Sequence, residues 1–323
     1  MHNLFRSKSP FVVIILFILA LVMKLQALSH PAMPQAFPHH LLFGSLLHFL
    51  QFSAFGYTIL AVILTFLQSV YVNFICEKHK LFHKTGYYAA FIYLVLSSLY
   101  PAFSYFSEPL LINWFVLIAL DVMLSFSKTL EPQKQLFNAG FFICIPVLLQ
   151  FPAIGFFVLL LVALLLLRSY RVSEMVVTVL GYFTPAYFFV GILYLIDKTS
   201  FLKNVIEIGF DMHLLSASRI YLAGIVSGVL LMVIGGVYAF QQSSIRMTIY
   251  VRRSWFLIFC YLAVAITVTL LAVSAVHAEW VLVVPPLSLI ISQVLYIENN
   301  RRLSTFMFYF SLALLIFAQI TFK

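Results

Sequence analysis

Long apolar runs alternate with short polar stretches along this chain of 323 residues. The hydrocarbon core of a bilayer is about 30 Å thick, and a helix needs about 20 apolar residues to cross it. Because lipid cannot pair with backbone amides and carbonyls, each run must form a helix. The pattern predicts an all-α fold, a polytopic transmembrane helical bundle of about eleven helices. The predicted spans are 11–28, 43–72, 86–103, 109–126, 136–150, 153–167, 173–196, 219–242, 254–276, 280–297 and 303–322.

Basic residues fall mainly on alternate connections between these spans. With a cytoplasmic N-terminus, fourteen Lys and Arg residues lie inside and five lie outside. Such a bias sets the orientation of membrane proteins, so we predict a cytoplasmic N-terminus, an outside C-terminus and residence in the cell inner membrane. Lys24, near the outer end of the first span, is expected to snorkel toward water. The inside set is Arg6, Lys8, Lys78, Lys80, Lys84, Lys128, Lys134, Arg168, Arg171, Arg246, Arg252, Arg253, Arg301 and Arg302, and the outside set is Lys24, Lys198, Lys203, Arg219 and Lys323.

A single transmembrane domain is predicted over residues 1–323, because no soluble domain interrupts the spans. Residues 197–217 are predicted to form an amphipathic helix on the outer leaflet, with Lys203, Glu207 and Asp211 on its polar face. The alternative is a structured loop that covers the bundle. Four further helices follow in residues 219–323.

The fifth and sixth spans are short for a membrane. Each has about fifteen residues, which corresponds to about 22 Å of helix. The sequence "LQFPAIG" joins them and predicts a helical hairpin whose proline turn stops inside the membrane, against protein or a wet cavity. Local thinning of the bilayer is the alternative. Four glycines in the eighth span predict close helix packing there: Gly224, Gly228, Gly235 and Gly236.

The composition excludes several classes of protein. With 63% hydrophobic and 9% charged residues, the chain has too few charges for the surface of a soluble domain. The net charge of +9 lies in short pieces between apolar runs, which indicates membrane orientation and no nucleic-acid partner. Three scattered cysteines and the spacing of the histidines predict neither a disulfide framework nor a metal site. No cofactor is predicted, and membrane lipids are the expected partners.

Glu108 is the strongest catalytic candidate among the ten acidic residues. It opens the fourth predicted span directly before Pro109, where an acidic side chain complements the helix dipole and proline suits the first turn. Capping alone explains this position. The functional alternative is a carboxylate that projects into an outward-facing cavity, because ionisable groups near membrane depth commonly serve a function.

Other charged residues have mainly structural interpretations. Asp121 lies near the cytoplasmic end of the same span, where we expect it to meet water or a lysine such as Lys128. Two arginine pairs are explained by topology, and binding of lipid phosphate is the alternative. These pairs are Arg168 with Arg171 and Arg252 with Arg253.

The stretch 107–168 resembles the core module of the GT-C glycosyltransferase superfamily, and a GT-C-like core would extend over residues 1–196. Glu108, Gly140 and the "QFPA" turn match its acidic helix start, its glycine-containing helix and its half-height hairpin. The resemblance implies a transferase that acts at the outer face on a sugar linked to a polyprenyl-phosphate carrier. It carries over Glu108 alone as a catalytic residue.

One departure from the GT-C pattern bears on catalysis. Members of that superfamily place a catalytic carboxylate in a long first outer loop, whereas the segment 29–42 here is short and has none. A catalytic base would then come from elsewhere, and Glu207 and Asp211 are the further candidates.

The whole chain also resembles a family of Bacteroidota membrane proteins defined by a domain of unknown function, through "NWFVLIAL" and "FNAGF". Two alternatives to a transferase therefore stand. The first is a non-catalytic membrane subunit of an envelope assembly, or a lipid-binding shell. The second is a small-molecule transporter, which the absence of mid-membrane charges and of inverted repeats disfavours.

Overall fold

The computed structural model describes residue 5 and residues 9–34, 41–127, 132–168, 171–197, 219–272, 277–297 and 301–321. Within these ranges the chain is all-α, as predicted, and 3₁₀ turns at Pro101–Ser104, Phe151–Ile154 and Ala278–Val283 precede α6, α8 and α12. The thirteen α-helices are α1 (Pro10–Met23), α2 (Leu25–Ser29), α3 (Leu41–Leu50), α4 (Ala54–Lys78), α5 (Tyr88–Leu96), α6 (Glu108–Leu124), α7 (Pro132–Leu149), α8 (Gly155–Leu167), α9 (Val172–Leu195), α10 (Arg219–Ser244), α11 (Ile249–Leu271), α12 (Val284–Leu295) and α13 (Arg301–Thr321).

Six of the described helical segments are long and apolar enough to cross a membrane, which makes the chain a multi-pass membrane protein. The other predicted spans correspond to helices that are shorter, interrupted or less apolar. The count of eleven spans and the orientation of the termini stay predictions. The six segments are Ala54–Lys78, Val172–Leu195, Ile220–Ser244, Ile249–Leu271, Ala278–Leu295 and Arg301–Thr321.

Two predicted boundaries are wrong. The run 43–72 is broken, because α3 ends at Leu50 and α4 restarts after Ser53, whose hydroxyl accepts from Gly56 N at 3.2 Å. The run 86–103 contains only the short helix α5. Its chain then turns at Ser97 and Ser98 and continues into the 3₁₀ turn that begins at Pro101, which is compatible with proline's fixed φ. Hydropathy alone does not show either break.

The predicted turn between the fifth and sixth spans is present, and its position inside the membrane stays a prediction. Gln150 is extended, and the 3₁₀ turn Phe151–Ile154 links α7 to α8. The first arm is longer than predicted, because α7 begins at Pro132 and has 18 residues.

Helix α5 lies at the centre of the core, and each of its residues is buried. Helix α12 is nearly as enclosed and packs against α5, α10, α11 and α13. The predicted close packing of the eighth span is confirmed, because a Cβ on Gly236 would lie 2.4 Å from Ile290 O and one on Gly228 would lie 2.1 Å from Leu314 Cδ1. One continuous core includes residues from both halves of the sequence, from Val12 to Ala318.

The predicted amphipathic segment 197–217 lies outside the described residues after Asp197. The same is true of two candidate catalytic residues, Glu207 and Asp211.

Candidate functional site

Lys24 occupies the junction between α1 and α2, where the backbone leaves helical geometry at φ −106° and ψ 14°. Its side chain is 1% exposed. The ammonium nitrogen Nζ donates to Thr65 Oγ1 at 3.0 Å and to Phe103 O at 3.2 Å. The expectation that Lys24 snorkels to water is therefore wrong. Its acceptors lie 41 and 79 residues away in the sequence, so tertiary packing holds it inside.

A layer of buried polar groups continues from Lys24 across the bundle. One turn beyond Thr65 on α4, Gln68 Nε2 donates to Leu110 O at 2.7 Å. The Tyr93 hydroxyl donates to Gln68 Oε1, also at 2.7 Å. Because α4 and α6 run in the same direction, the start of α6 lies at the level of Lys24. Thr65 is eleven residues into α4, so this layer is recessed about 16 Å from the beginning of that helix.

A polar pocket of about 90 Å³ opens beside Lys24. Side chains from several elements line it, and they include His30, Ser98, Tyr105 and Gln319. Gln319 Nε2 donates to Met23 O at 3.0 Å, which ties the end of α13 to the residue before Lys24. Lys24 therefore lines the pocket together with several hydrogen-bonding side chains.

An apolar groove of about 360 Å³ adjoins this pocket, and both are lined by Leu99 and Tyr221. The wall from α10 extends from Tyr221 to Val233, which corresponds to about 18 Å of helix. Trp280 and residues of α11 and α12 complete the lining. The Tyr221 hydroxyl donates to Leu99 O at the shared wall, so its apolar ring faces the groove while its polar atom is satisfied.

Glu108 begins α6 and is 6% exposed. It lies between Phe106 and Leu110, which pack with Phe43 of α3 and Tyr57 of α4 in a separate apolar cluster. Helix α3 thus covers the region around the start of α6. The position matches the dipole interpretation, and Glu108 lines neither the Lys24 pocket nor the neighbouring apolar groove.

At the other end of α6, Asp121 contacts Lys78, the last residue of α4, and His79, which follows it. Lys78 Nζ donates to Asp121 Oδ2 at 2.6 Å, and His79 Nε2 lies 2.8 Å from Asp121 Oδ1. The Tyr250 hydroxyl donates to Leu124 O and lies 3.2 Å from His79 Nδ1. Both ring nitrogens of His79 therefore have a polar partner. Asp121 has a structural role here, with Lys78 as its lysine partner, and Lys128 lies outside the described residues.

The four arginines predicted as alternative lipid-phosphate ligands do not form one cluster. Arg168 donates to Glu174 through Nε at 3.1 Å and through Nη2 at 3.0 Å, and its Nη1 donates to Phe126 O at 3.0 Å. Arg253 donates to Leu166 O at 3.3 Å, which caps the end of α8 close to Arg168. The exposed residue Arg252 donates instead to Ser244 O, and Arg171 is also exposed.

Sequence reasoning missed Lys24 and the groove. The available signal was the lysine itself, because a charged residue inside an apolar run marks a functional site by default. The groove carried no signal, since its lining comes from four separate stretches of apolar sequence. Among the described residues, no group of three or more His, Cys, Asp or Glu side chains is close enough to hold a metal ion.

These features define a multi-pass α-helical membrane protein with a pocket beside Lys24 and a neighbouring apolar groove. The chain belongs to DUF6427, a family of unknown function, whose sequence model matches residues 38–323. No curated protein and no solved structure matches the chain.

Proposed function

We propose that the protein binds an amphiphile with an anionic head and a long apolar chain. The adjacency of the Lys24 pocket and the apolar groove, which share Leu99 and Tyr221 in their walls, supports this function. The head would lie beside Lys24 and the chain would follow α10. By the predicted orientation, this site is on the outer side of the cell inner membrane.

The buried amine of Lys24 supports an anionic head. A lysine ammonium has three donors, and the described residues provide acceptors for two of them. An ammonium buried among neutral groups costs several kcal/mol unless a negative charge accompanies it. The adjoining pocket provides space for such a charge. A phosphate of the ligand would offset the cost of burial and accept the remaining N–H.

The groove supports a long apolar tail. It lies among helices with membrane-spanning length, and several of its α10 residues are exposed, including Val226 and Leu230. Its length of about 18 Å suits an extended acyl or prenyl chain better than a compact soluble molecule. A polyprenyl phosphate that carries a sugar combines this tail with the required anionic head.

Transfer of that sugar is a second proposed function, and the position of Glu108 favours it. The buried carboxylate begins α6 five residues after Phe103, the carbonyl partner of Lys24, so we propose it as the acid or base of the transfer. The resemblance of residues 107–168 to the GT-C core supports this assignment. Holding the lipid without catalysis, as a shell or as the membrane subunit of an envelope assembly, is the alternative.

Binding is tested with the purified chain in detergent and added polyprenyl phosphate, with native mass spectrometry as the readout. Val229→Trp places an indole in the groove, whereas Ile234→Trp places one on the exposed face of the same helix. Since each displaced methylene is worth about 0.8 kcal/mol, Val229→Trp should weaken retention more than about tenfold. Ile234→Trp should retain the lipid like the wild type. Equal retention by both variants would overturn the groove assignment.

Head-group recognition is tested separately by comparison of polyprenyl phosphate with the corresponding alcohol. The wild type should prefer the phosphate, and Lys24→Met should remove the preference. Turnover of a polyprenyl-phosphate sugar should then be lost in Glu108→Ala and kept in Glu279→Gln, a matched buried carboxylate. If lipid binds and the wild type transfers no sugar to any acceptor tested, the non-catalytic alternative replaces the transferase.

A further inference from the structure

A second cavity, of about 540 Å³, lies at the opposite end of the bundle. It is formed by the end of α4, the connection that follows it, the α10–α11 connection and Tyr296. Phe82 and Tyr296 stack in its wall with ring centroids 4.2 Å apart. The cavity is separate from the Lys24 pocket and carries a different set of charges.

Basic side chains dominate this cavity. Lys80, His83 and Arg246 line it, and within the described part of the chain none of the three forms an ion pair. Lys84 also lines it and has a partner within the protein, as does the carboxylate of Glu77. The hydroxyl groups of Thr85 and Thr248 add neutral donors. Lys80 and Arg246, which form no ion pair among the described residues, provide with these hydroxyl donors a suitable environment for a phosphate group.

The backbone at Lys80 fixes one of these cations at the rim. Lys80 has φ 52°, a left-handed conformation that favours glycine at the end of a helix. Leu81 N donates to Cys76 O at 3.0 Å, which closes the last turn of α4. Glycine would adopt this conformation at a lower cost in free energy than lysine. Helix termination therefore does not explain why a lysine occupies the position.

The surroundings of Arg246 indicate that the cavity lies at the membrane surface. Ile245 is 83% exposed and Ile249 is 71% exposed, and they flank the cavity residues Arg246, Met247 and Thr248. Two exposed isoleucines beside an arginine match a segment that inserts into the boundary between acyl chains and head groups. A ligand would therefore reach the cavity from the lipid.

We propose that this cavity binds the phosphate of an anionic lipid from the leaflet predicted to be cytoplasmic. Lys80 and Arg246 would contact the phosphate, His83 would lie at the rim, and the Phe82–Tyr296 stack would contact the glycerol and the first methylenes. Basic pockets between helices on the cytoplasmic side of membrane proteins bind lipid head groups in this way. The inference is independent of the groove and of the function proposed for it.

Native mass spectrometry of the full chain with added phosphatidylglycerol and phosphatidylcholine tests the site. The wild type should retain phosphatidylglycerol preferentially. Lys80→Gly removes one cation and places glycine where the backbone favours it, so the melting temperature should stay equal or rise. Affinity for phosphatidylglycerol should fall about fivefold in Lys80→Gly and further in a variant that also carries Arg246→Gln.

Arg302→Gln is the matched control, because Arg302 is an exposed arginine of the predicted cytoplasmic set that does not line the cavity. It should retain the lipid like the wild type, and a loss equal to that of Arg246→Gln would overturn the site in favour of general surface attraction. Inorganic phosphate and glycerol 3-phosphate distinguish the two sources of phosphate. Displacement of the lipid by millimolar amounts of either would overturn the lipid assignment in favour of a soluble anion. Wild-type retention of phosphatidylcholine at the same level would overturn the proposal altogether.

Discussion

Gly140 of α7 packs directly against Gly181 of α9. A Cβ added to Gly140 would lie 2.4 Å from Thr178 O, and one added to Gly181 would lie 2.3 Å from Phe137 O. Each glycine thus admits the backbone of the other helix, and backbone atoms cannot move aside as a flexible side chain can. The GT-C resemblance marked Gly140 as part of a glycine-containing helix, and this contact gives that residue a packing role.

Replacement of either glycine by alanine should therefore separate α7 from α9. We expect Gly140→Ala and Gly181→Ala each to lower the stability by about 1–3 kcal/mol, the usual cost of overpacking. Gly191→Ala on α9 is the control, since a Cβ there meets nothing within 4 Å, and it should be neutral or stabilising by up to about 1 kcal/mol. Thermal unfolding in detergent measures all three. A melting temperature of Gly181→Ala at or above that of Gly191→Ala would contradict the packing argument.

Asp121 should matter more to stability than its partner Lys78. The Asp121 side chain is 11% exposed and contacts both Lys78 and His79, whereas the Lys78 side chain is 41% exposed. Loss of one charged partner from a buried ion pair costs about 3–5 kcal/mol, while an exposed ion pair contributes about 1 kcal/mol or less. Asp121→Asn should therefore unfold at a clearly lower temperature than Lys78→Met.

A double-mutant cycle between Asp121 and His79 tests the second contact of the same cluster. The two residues should show a coupling free energy of about 1–3 kcal/mol, because they share a buried hydrogen bond. Additive losses in Asp121→Asn and His79→Gln would show that the contact contributes little. Glu174→Gln breaks the separate pair with Arg168, so its loss of stability should be additive with that of either variant.

The predicted orientation leads to a direct topological test. A reporter that is active only in the cytosol, inserted in the basic connection 79–86, should be active, and one that is active only outside should work after residue 321. These outcomes follow from the distribution of basic residues on alternate connections. If the two insertion sites proved to lie on the same side of the membrane, the predicted topology would be wrong. The Lys24 pocket would then move to the other face of the membrane.

Local sequence predicted the features that depend on local physics. Helices follow from apolar runs in lipid, the turn after Gln150 follows from its proline, and the close packing of α10 follows from its glycines. The breaks at Ser53 and after Leu96 occur inside apolar sequence, so a hydropathy window passes over them. Gly140 was noticed for its place in a motif, whereas its packing role needed the position of α9.

The site depended on contacts that sequence spacing does not show. Lys24 finds Thr65 and Phe103 across the bundle, and Asp121 finds Lys78 and His79 more than forty residues away. A lysine near the end of a predicted span looks the same in the sequence whether it turns to water or into a pocket. The groove is assembled from apolar residues with no distinguishing chemistry, so only the packing of α10 and α11 on α12 defines it.

Lys24→Met provides the sharpest separation of function from stability. The substitution keeps the approximate length of the side chain, removes a buried charge and leaves the Phe103 carbonyl without its donor. Loss of that hydrogen bond costs about 1–3 kcal/mol, and apolar replacement of buried ionic groups often stabilises by about 1–4 kcal/mol. The melting temperature should therefore stay the same or rise, while retention of polyprenyl phosphate falls.

Thr65→Val should change the stability in the opposite direction at the same contact. It removes the hydroxyl acceptor and keeps the charge of Lys24, so the wild-type background should lose about 1–3 kcal/mol. In the Lys24→Met background the same change should be close to neutral, because methionine has no amine that would lose a hydrogen-bond acceptor. If Lys24 had only a structural role, Lys24→Met would lower the melting temperature more than Thr65→Val. That result would remove the physical basis for an anionic ligand in this pocket.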